Sequence, residues 1–381
     1  MSIDISREQR FVYLCSILPM PKKYLKKAQD IFKTGIDLDE AVRIAYVHQV
    51  YSLFARNLKD HFPEAGENEA VKAMYVAANR NRFDSMKQAG ELVRLYRVFT
   101  DNGLRTVPLK GVLLSKMLYD DPTYRYATDI DLLIRHDDFD RAKEILAEQG
   151  YTSNKEYVST AKQMEVYESK FHDYDFESKD GTKLELHWRV ADIKAAEILT
   201  CDNADSTVSF FGQELPTYTP EEWLIYLAYH GVHHGYMWMK WLTDFDTLAR
   251  HASVDRKAAM ELAAEMGLDW ALRASYAMAY LVSGGDENAV SVSRLTEEMA
   301  GVLTKSNGQK DDVFIAYRSF LDTELERRGL LTDKEKTRRI DPSEKDFETF
   351  HFSDRFFFLY YVVRGPYKLY RVLKGKIFPD K

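Results

Sequence analysis

Residues Thr128 to Ile134 read TDIDLLI, and this short run constrains the chain more than any other stretch of it. The polar–apolar alternation, passing into Leu-Leu-Ile, predicts a β-strand. Residues two apart on a strand share a face. Asp129 and Asp131 therefore project together, and Ile130, Leu132 and Ile134 face a core on the other side. Neighbouring carboxylates repel unless positive charge neutralises them. A divalent cation with oxygen ligands meets that need.

The surroundings supply a sheet for this strand. Arg105–Leu109 (RTVPL) reads as a short strand, Lys110-Gly111 as a turn and Val112–Tyr119 as a helix. The polar loop DDPTYRYA leads into the Asp-x-Asp strand, and residues 137–149 follow as a helix with Gly150 as its C-cap. Phe171–Ser178 and Thr182–Val190 flank Lys179-Asp180-Gly181, whose Asp-Gly pair signals a hairpin. In KLELHWRV, Leu184, Leu186 and Trp188 alternate with Glu185, His187 and Arg189. The polar face of that strand suits a place beside Asp129 and Asp131.

Helices are expected on both sides of this α/β segment. Ser6 with Gln9 makes a capping box before SREQRFVYLCSIL, and helical periodicity runs over 39–58 and 69–100. Thr219-Pro220-Glu221-Glu222 opens a second helical region, with helices expected over 238–252, 255–283, 292–305 and 311–329. A charged stretch at 332–346 reads as exposed. The expected fold is α+β: a helical region at 1–94, a core with a small mixed sheet flanked by helices at 95–215, and a helical domain at 216–381.

Composition removes several classes of function. A net charge of −7 over 381 residues disfavours bulk binding of long nucleic acid. The two cysteines, Cys15 and Cys201, have no metal-ligand spacing, which points to a reducing, cytoplasmic setting. MSIDISREQR lacks the form of a signal peptide, and no apolar run reaches the ~20 residues of a membrane span. The C-terminal run from Asp354 is aromatic and basic. It reads as a closing helix more readily than as a membrane-surface helix.

Taken together, LKGVLLSKMLYDDPTYRYATDIDLLI, AKEILAEQGY and LELHWRV resemble the uncharacterised nucleotidyltransferase family of the polymerase-β-like superfamily. The likeness extends to PEEWLIYLAYHGVHHGYMWMKWLTDFDTLA and, more loosely, to AYVHQVYSLFARNL. The resemblance implies a nucleotidyltransferase core in which Asp129, Asp131 and Glu185 are catalytic and hold one or two Mg2+ ions, or Mn2+. It implies transfer of a nucleoside monophosphate from a nucleoside triphosphate to an acceptor that the sequence does not name. Lys110-Gly111 stands where the superfamily has Gly-Gly or Gly-Ser. The helix N-terminus behind it suits a phosphate, with Lys110, Gly111, Arg125 and His187 as nucleotide-binding candidates. The altered turn also motivates an alternative: a non-catalytic nucleotide-binding module that retains the fold.

Some of these residues admit plainer readings. Arg125 either contacts phosphate or pairs with Asp120 or Asp121. His187 either binds the nucleotide or sits hydrogen-bonded at a sheet edge. His230 and His234 share a helix face, with His233 between them and Asp244 following. They are expected to pack the helix on the core and to line an acceptor pocket. A third reading, a metal-dependent hydrolase, uses the same helix as its ligand source.

Overall fold

The computed structural model describes residues 4–153, 155, 157–191, 199–286, 292–306, 308–330 and 341–377. The chain opens with helices α1 (Arg7–Leu14), α2 (Lys22–Lys33), α3 (Leu38–Val47), α4 (Tyr51–His61) and the long α5 (Glu69–Asp101). The Ser6–Gln9 capping box forms as expected. Helix α2 lies in the region expected to be helical but was not singled out, because five lysines break up its apolar pattern. The periodic run at 39–58 is two helices, broken where Gln49 takes a positive φ.

The sheet follows. Strand β1 (Thr106–Pro108) leads into α6 (Gly111–Tyr119), β2 (Asp129–Ile134), α7 (Phe139–Glu148), β3 (Tyr151–Thr152) and α8 (Ala161–Lys170). Strands β4 (Asp173–Ser178) and β5 (Lys183–His187) form the hairpin signalled by Asp180-Gly181. Spatial order is β1-β2-β5-β4-β3. The β2–β5 pair is parallel and the other pairs are antiparallel, so the sheet is mixed, as expected. A separate hairpin, β6 (Ser206–Phe210) and β7 (Gln213–Thr217), joins this part to the later helices.

Those helices are α9 (Pro220–His233), α10 (Met239–Ala249), α11 (Arg256–Glu265), α12 (Asp269–Val282), α13 (Arg294–Lys305) and α14 (Asp312–Arg327). The single helix expected over 255–283 is split at Gly267, whose φ of +68° favours glycine. Part of the charged stretch expected at 332–346 lies outside the described residues, and its end forms a short helix, Glu344–Thr349. In the C-terminal run, Phe357 and Tyr360 are buried beside Phe347, Tyr157 and Val166, as a closing segment requires. Phe358, Tyr361 and Val362 remain exposed. Among the described residues no helix is long and apolar enough to cross a membrane.

Two large cores lie among the described residues, besides the small cluster around Phe347. Ile130, Leu132, Ile134, Leu184, Leu186, Tyr174 and Phe176 form the apolar sheet face, packed on Leu92, Leu95 and Phe99 of α5 and Ile145 and Leu146 of α7. Burying each such side chain contributes roughly 1.5–3 kcal/mol. The second core joins both helical regions, from Phe11 and Phe54 to Trp223, Leu242 and Met278. The N-terminal helices thereby hold α10 in place. Tyr13 and Tyr24 both donate to Asp246, and the Lys240 amide donates to the His48 carbonyl.

Candidate functional site

The register gathers the polar residues on the sheet face opposite the first core. Asp131 is paired with Glu185 across β2–β5, Asp129 with Lys183, and Asp175 and Asp173 with Glu185 and His187 across β5–β4. Directly paired residues project from the same side of a sheet. Three neighbouring strands thus contribute carboxylates to one surface. Glu185 stands beside the Asp-x-Asp strand as the sequence suggested. Asp173 and Asp175 were missed, although the alternation in DYDFE carries the signal.

At the centre, Asp131 is almost fully buried. The His187 Nε2–Asp131 Oδ1 contact is 3.1 Å, and Lys110 Nζ lies 3.4 Å from the same oxygen. Burial opposes ionisation of Asp131, but the Lys110 charge and the His187 hydrogen bond outweigh it and hold the carboxyl well below the usual range. The imidazole shows the reverse balance. Burial disfavours its charge, yet hydrogen bonds to Asp131 and Glu185 push its pKa up to about 10. His187 lies on β5, between β2 and β4, and not at the sheet edge of the plainer reading. Its Nδ1 is buried without a hydrogen-bond partner, and its ring stacks on His172 at 5.6 Å.

The outer carboxylates are less well matched. Burial, then repulsion from Asp131, raises the pKa of Asp129. Burial also raises that of Glu185, against a hydrogen bond from His187 3.4 Å away. The Asp129 carboxylate accepts from the Thr128 hydroxyl at 2.9 Å. Ligand atoms of Asp131, Glu185 and His187 lie within 4.8 Å of one another, as do those of Asp173, Asp175 and Glu185.

The Lys110-Gly111 turn is built as its sequence implies. The Leu109 amide donates to the Asp131 carbonyl at 3.0 Å, and Gly111 opens α6 with φ +57°. A Cβ on Gly111 would stand 3.5 Å from the Asp129 carbonyl oxygen. The turn is thus pressed against the strand that bears the aspartates.

Arg125 corrects one expectation. Asp120 pairs with Lys116, and Asp121 accepts from Thr123, so neither takes Arg125. Its guanidinium Nε instead donates to Asp244 Oδ2 at 2.8 Å, with both side chains buried. The loop that carries it is fixed by Asn81 and Gln88 of α5, which donate to the Thr123 and Ala127 carbonyls. Asp244, expected with the histidines in an acceptor pocket, also accepts from the Tyr119 hydroxyl at 3.3 Å.

His230 and His234 pack on Trp241, with ring centroids 5.2 and 4.8 Å away. Burial, then the nearby positive charge of Lys110 for His230 and of Arg318 for His234, keeps both rings well below the ordinary histidine pKa. Among the described residues, neither joins Asp244 in a group with metal-ligand spacing. The hydrolase reading therefore lacks a ligand set.

Two cavities lie beside β2 and β5. One of about 360 Å3 is lined by Asp129, Asp175, Lys183 and Glu185. The other, about 460 Å3, shares Thr128 and Lys183 with it and extends along Tyr51, Arg80, Asn81 and Tyr126. A larger cavity of about 980 Å3 between α10, α12 and α13 shares no residue with them. Its Arg250, Arg327 and Arg328 are already paired with Asp246 and Glu324.

No curated protein matches the chain. Residues 34–284 do match the family described as uncharacterised nucleotidyltransferase. That span takes in the whole mixed sheet with its carboxylate face, the Lys110-Gly111 turn, and helices α9 and α10 that pack over them, and the chain belongs to that family.

Proposed function

We propose that the protein transfers a nucleoside monophosphate from a nucleoside triphosphate to an acceptor hydroxyl, with Mg2+ held at Asp129, Asp131 and Glu185. The observation that carries this reading is the in-register pairing of Asp131 with Glu185, with Asp129 two residues away on the same face. The donor set fits a hard divalent cation, since carboxylate oxygens converge there and the nearest nitrogen, His187 Nε2, is already engaged with two of them. One or two ions bound there would offset the carboxylate charge and polarise phosphate oxygens.

The chain's own residues supply the rest. Lys110 and the α6 N-terminus offer positive charge to the phosphates, and Gly111 allows their close approach. The acceptor oxygen forms a bond to the α-phosphorus as the bond from that phosphorus to the bridging oxygen breaks, and pyrophosphate departs. The acceptor's proton passes to Glu185, a carboxylate of the same face paired in register with Asp131. His187, whose Nε2 lies 3.1 Å from Asp131 Oδ1, orients that carboxylate.

The test is magnesium-dependent binding of each nucleoside triphosphate by wild type and by Asp129→Asn/Asp131→Asn, followed by a search for transfer. Binding that the double variant loses supports the site. A folded wild type that binds no nucleotide with magnesium refutes it. Binding without transfer to any acceptor would favour the non-catalytic module.

A further inference from the structure

Lys240, in the first turn of α10, is a charged residue inside the otherwise apolar run MWMKWL, and the sequence reading gave it no role. Its side chain is 8% exposed. Among the described residues it makes no side-chain hydrogen bond or ion pair. Its ammonium lies 5.0 Å from the Trp238 ring centroid and 5.8 Å from that of Tyr126, which with Thr128 and Lys183 lines the cavity of about 460 Å3. An unpaired buried ammonium is costly, and two ring faces repay only part of its lost hydration.

The absence of a partner has a structural cause. Asp244 follows Lys240 by four residues on the same helix, the usual spacing for an ion pair. That carboxylate is taken by Arg125 at 2.8 Å and by Tyr119. The charged groups that act most on the ammonium are Arg125, Asp244, Asp129 and Lys110. Lys110 is held by Asp131 and Arg125 by Asp244, so of these three cations Lys240 alone has no carboxylate within ion-pair distance.

We infer that Lys240 is a phosphate-contacting residue: it meets the β- and γ-phosphates of the nucleoside triphosphate from the helical side, opposite the carboxylates of the sheet. This rests on the nucleotidyltransferase reading and adds to it the part of the substrate that α10 recognises. It also explains how a site with Lys-Gly in place of Gly-Ser holds a polyphosphate, with an ammonium on α10 supplementing the turn. Burial, then repulsion from Arg125, lowers the lysine's pKa to about 7 in the free protein, and an arriving polyanion would favour its charged form.

The experiment compares wild type, Lys240→Met and Lys240→Arg by calorimetry, with inorganic tripolyphosphate, a non-hydrolysable nucleoside triphosphate and the matching monophosphate as probes, each with magnesium. Thermal melts of the free proteins accompany it. Lys240→Met is expected to weaken tripolyphosphate and triphosphate binding about 10- to 100-fold, with far less effect on the monophosphate, and Lys240→Arg to restore most of the loss. The free Lys240→Met protein is expected to melt no lower than wild type, because it loses an unpaired buried charge. Unchanged tripolyphosphate binding by Lys240→Met, or a lower melting temperature with equal loss for all three probes, would overturn the assignment. Failure of wild type itself to bind any probe would instead remove the nucleotidyltransferase reading, and this inference with it.

Discussion

Replacing Asp244 by Asn tests whether Arg125 is a structural cation. The pair is buried on both sides, with a 2.8 Å contact. The amide keeps an oxygen for the Arg125 Nε–H, so what is lost is the negative charge opposite a guanidinium that cannot neutralise itself. Breaking one side of a buried ion pair costs about 3–5 kcal/mol. The retained hydrogen bond and isosteric shape place this variant near the lower figure. At ~2.1 cal/mol/K of unfolding entropy per residue, a cooperative transition of all 381 residues carries ~0.8 kcal/mol/K, so the melting temperature falls by about 4 °C. Arg125→Met/Asp244→Leu removes both charges and should recover most of the loss, because an apolar replacement leaves neither group stranded. Thermal unfolding followed by circular dichroism measures both. Asp244→Asn melting within about 1 °C of wild type, the scale of an ordinary surface substitution, would refute the argument. So would a double variant no more stable than the single one.

The two aspartates of β2 should respond in opposite directions in chelator. Asp131→Asn strands Lys110 and His187 and should cost about 3–5 kcal/mol, whereas Asp129→Asn relieves repulsion and should leave stability equal or higher; equal melting points would contradict this. Gly111→Ala forces a side chain into a φ of +57° and should cost about 1–2 kcal/mol by chemical denaturation, with no change counting against the strained turn. Acid should destabilise the fold through His48, whose pKa burial lowers to about 4 and whose Nδ1 accepts from the Met239 amide. A histidine depressed in the folded state contributes stability that is present above its unfolded pKa of 6.5. That contribution, up to about 3 kcal/mol, is lost as pH falls from there through about 4. A melting temperature that is flat from about pH 7.5 to about pH 5, or unaltered in its pH dependence by His48→Gln, would contradict this.

What could be read from the sequence was local and periodic. The strand alternation of TDIDLLI and KLELH predicted which residues would share a face, and the register then set Asp131 opposite Glu185. The Asp180-Gly181 hairpin and the Thr219 capping box have local signatures and formed where expected. Pairings across long sequence separations left no such trace. Arg125 and Asp244 are brought together by the packing of α10 against α6, and nothing near Arg125 distinguishes Asp244 from the closer Asp120 and Asp121. Helix ends were misjudged where one residue breaks a continuous apolar period, at Gln49 and at Gly267. Helix α8 and the β6–β7 hairpin were not foreseen. The apolar pattern of α8 is sparse, and the hairpin's strands are short, with polar positions facing solvent.

The charges around the sheet fall into two groups: those balanced at contact distance in the free protein and those that are not. Asp131 with Lys110 and His187, and Arg125 with Asp244, are balanced at contact distance in the free protein. Asp129, Glu185 and Lys240 are not: burial shifts the first two toward the neutral acid and the third toward the neutral amine. A fold selected for stability alone would do better with apolar or amide side chains at those three positions. Asp129 and Glu185 line one cavity beside the sheet, and Asp129 is among the charges that act on the Lys240 ammonium. On the proposed reading, a metal–polyphosphate complex would turn its cation toward the carboxylates and its phosphate oxygens toward the ammonium. Neutralising a member of the balanced group should therefore cost stability whether or not nucleotide is present. Neutralising a member of the other should spare the free protein and, on the proposed reading, abolish the gain in melting temperature expected from magnesium and triphosphate together.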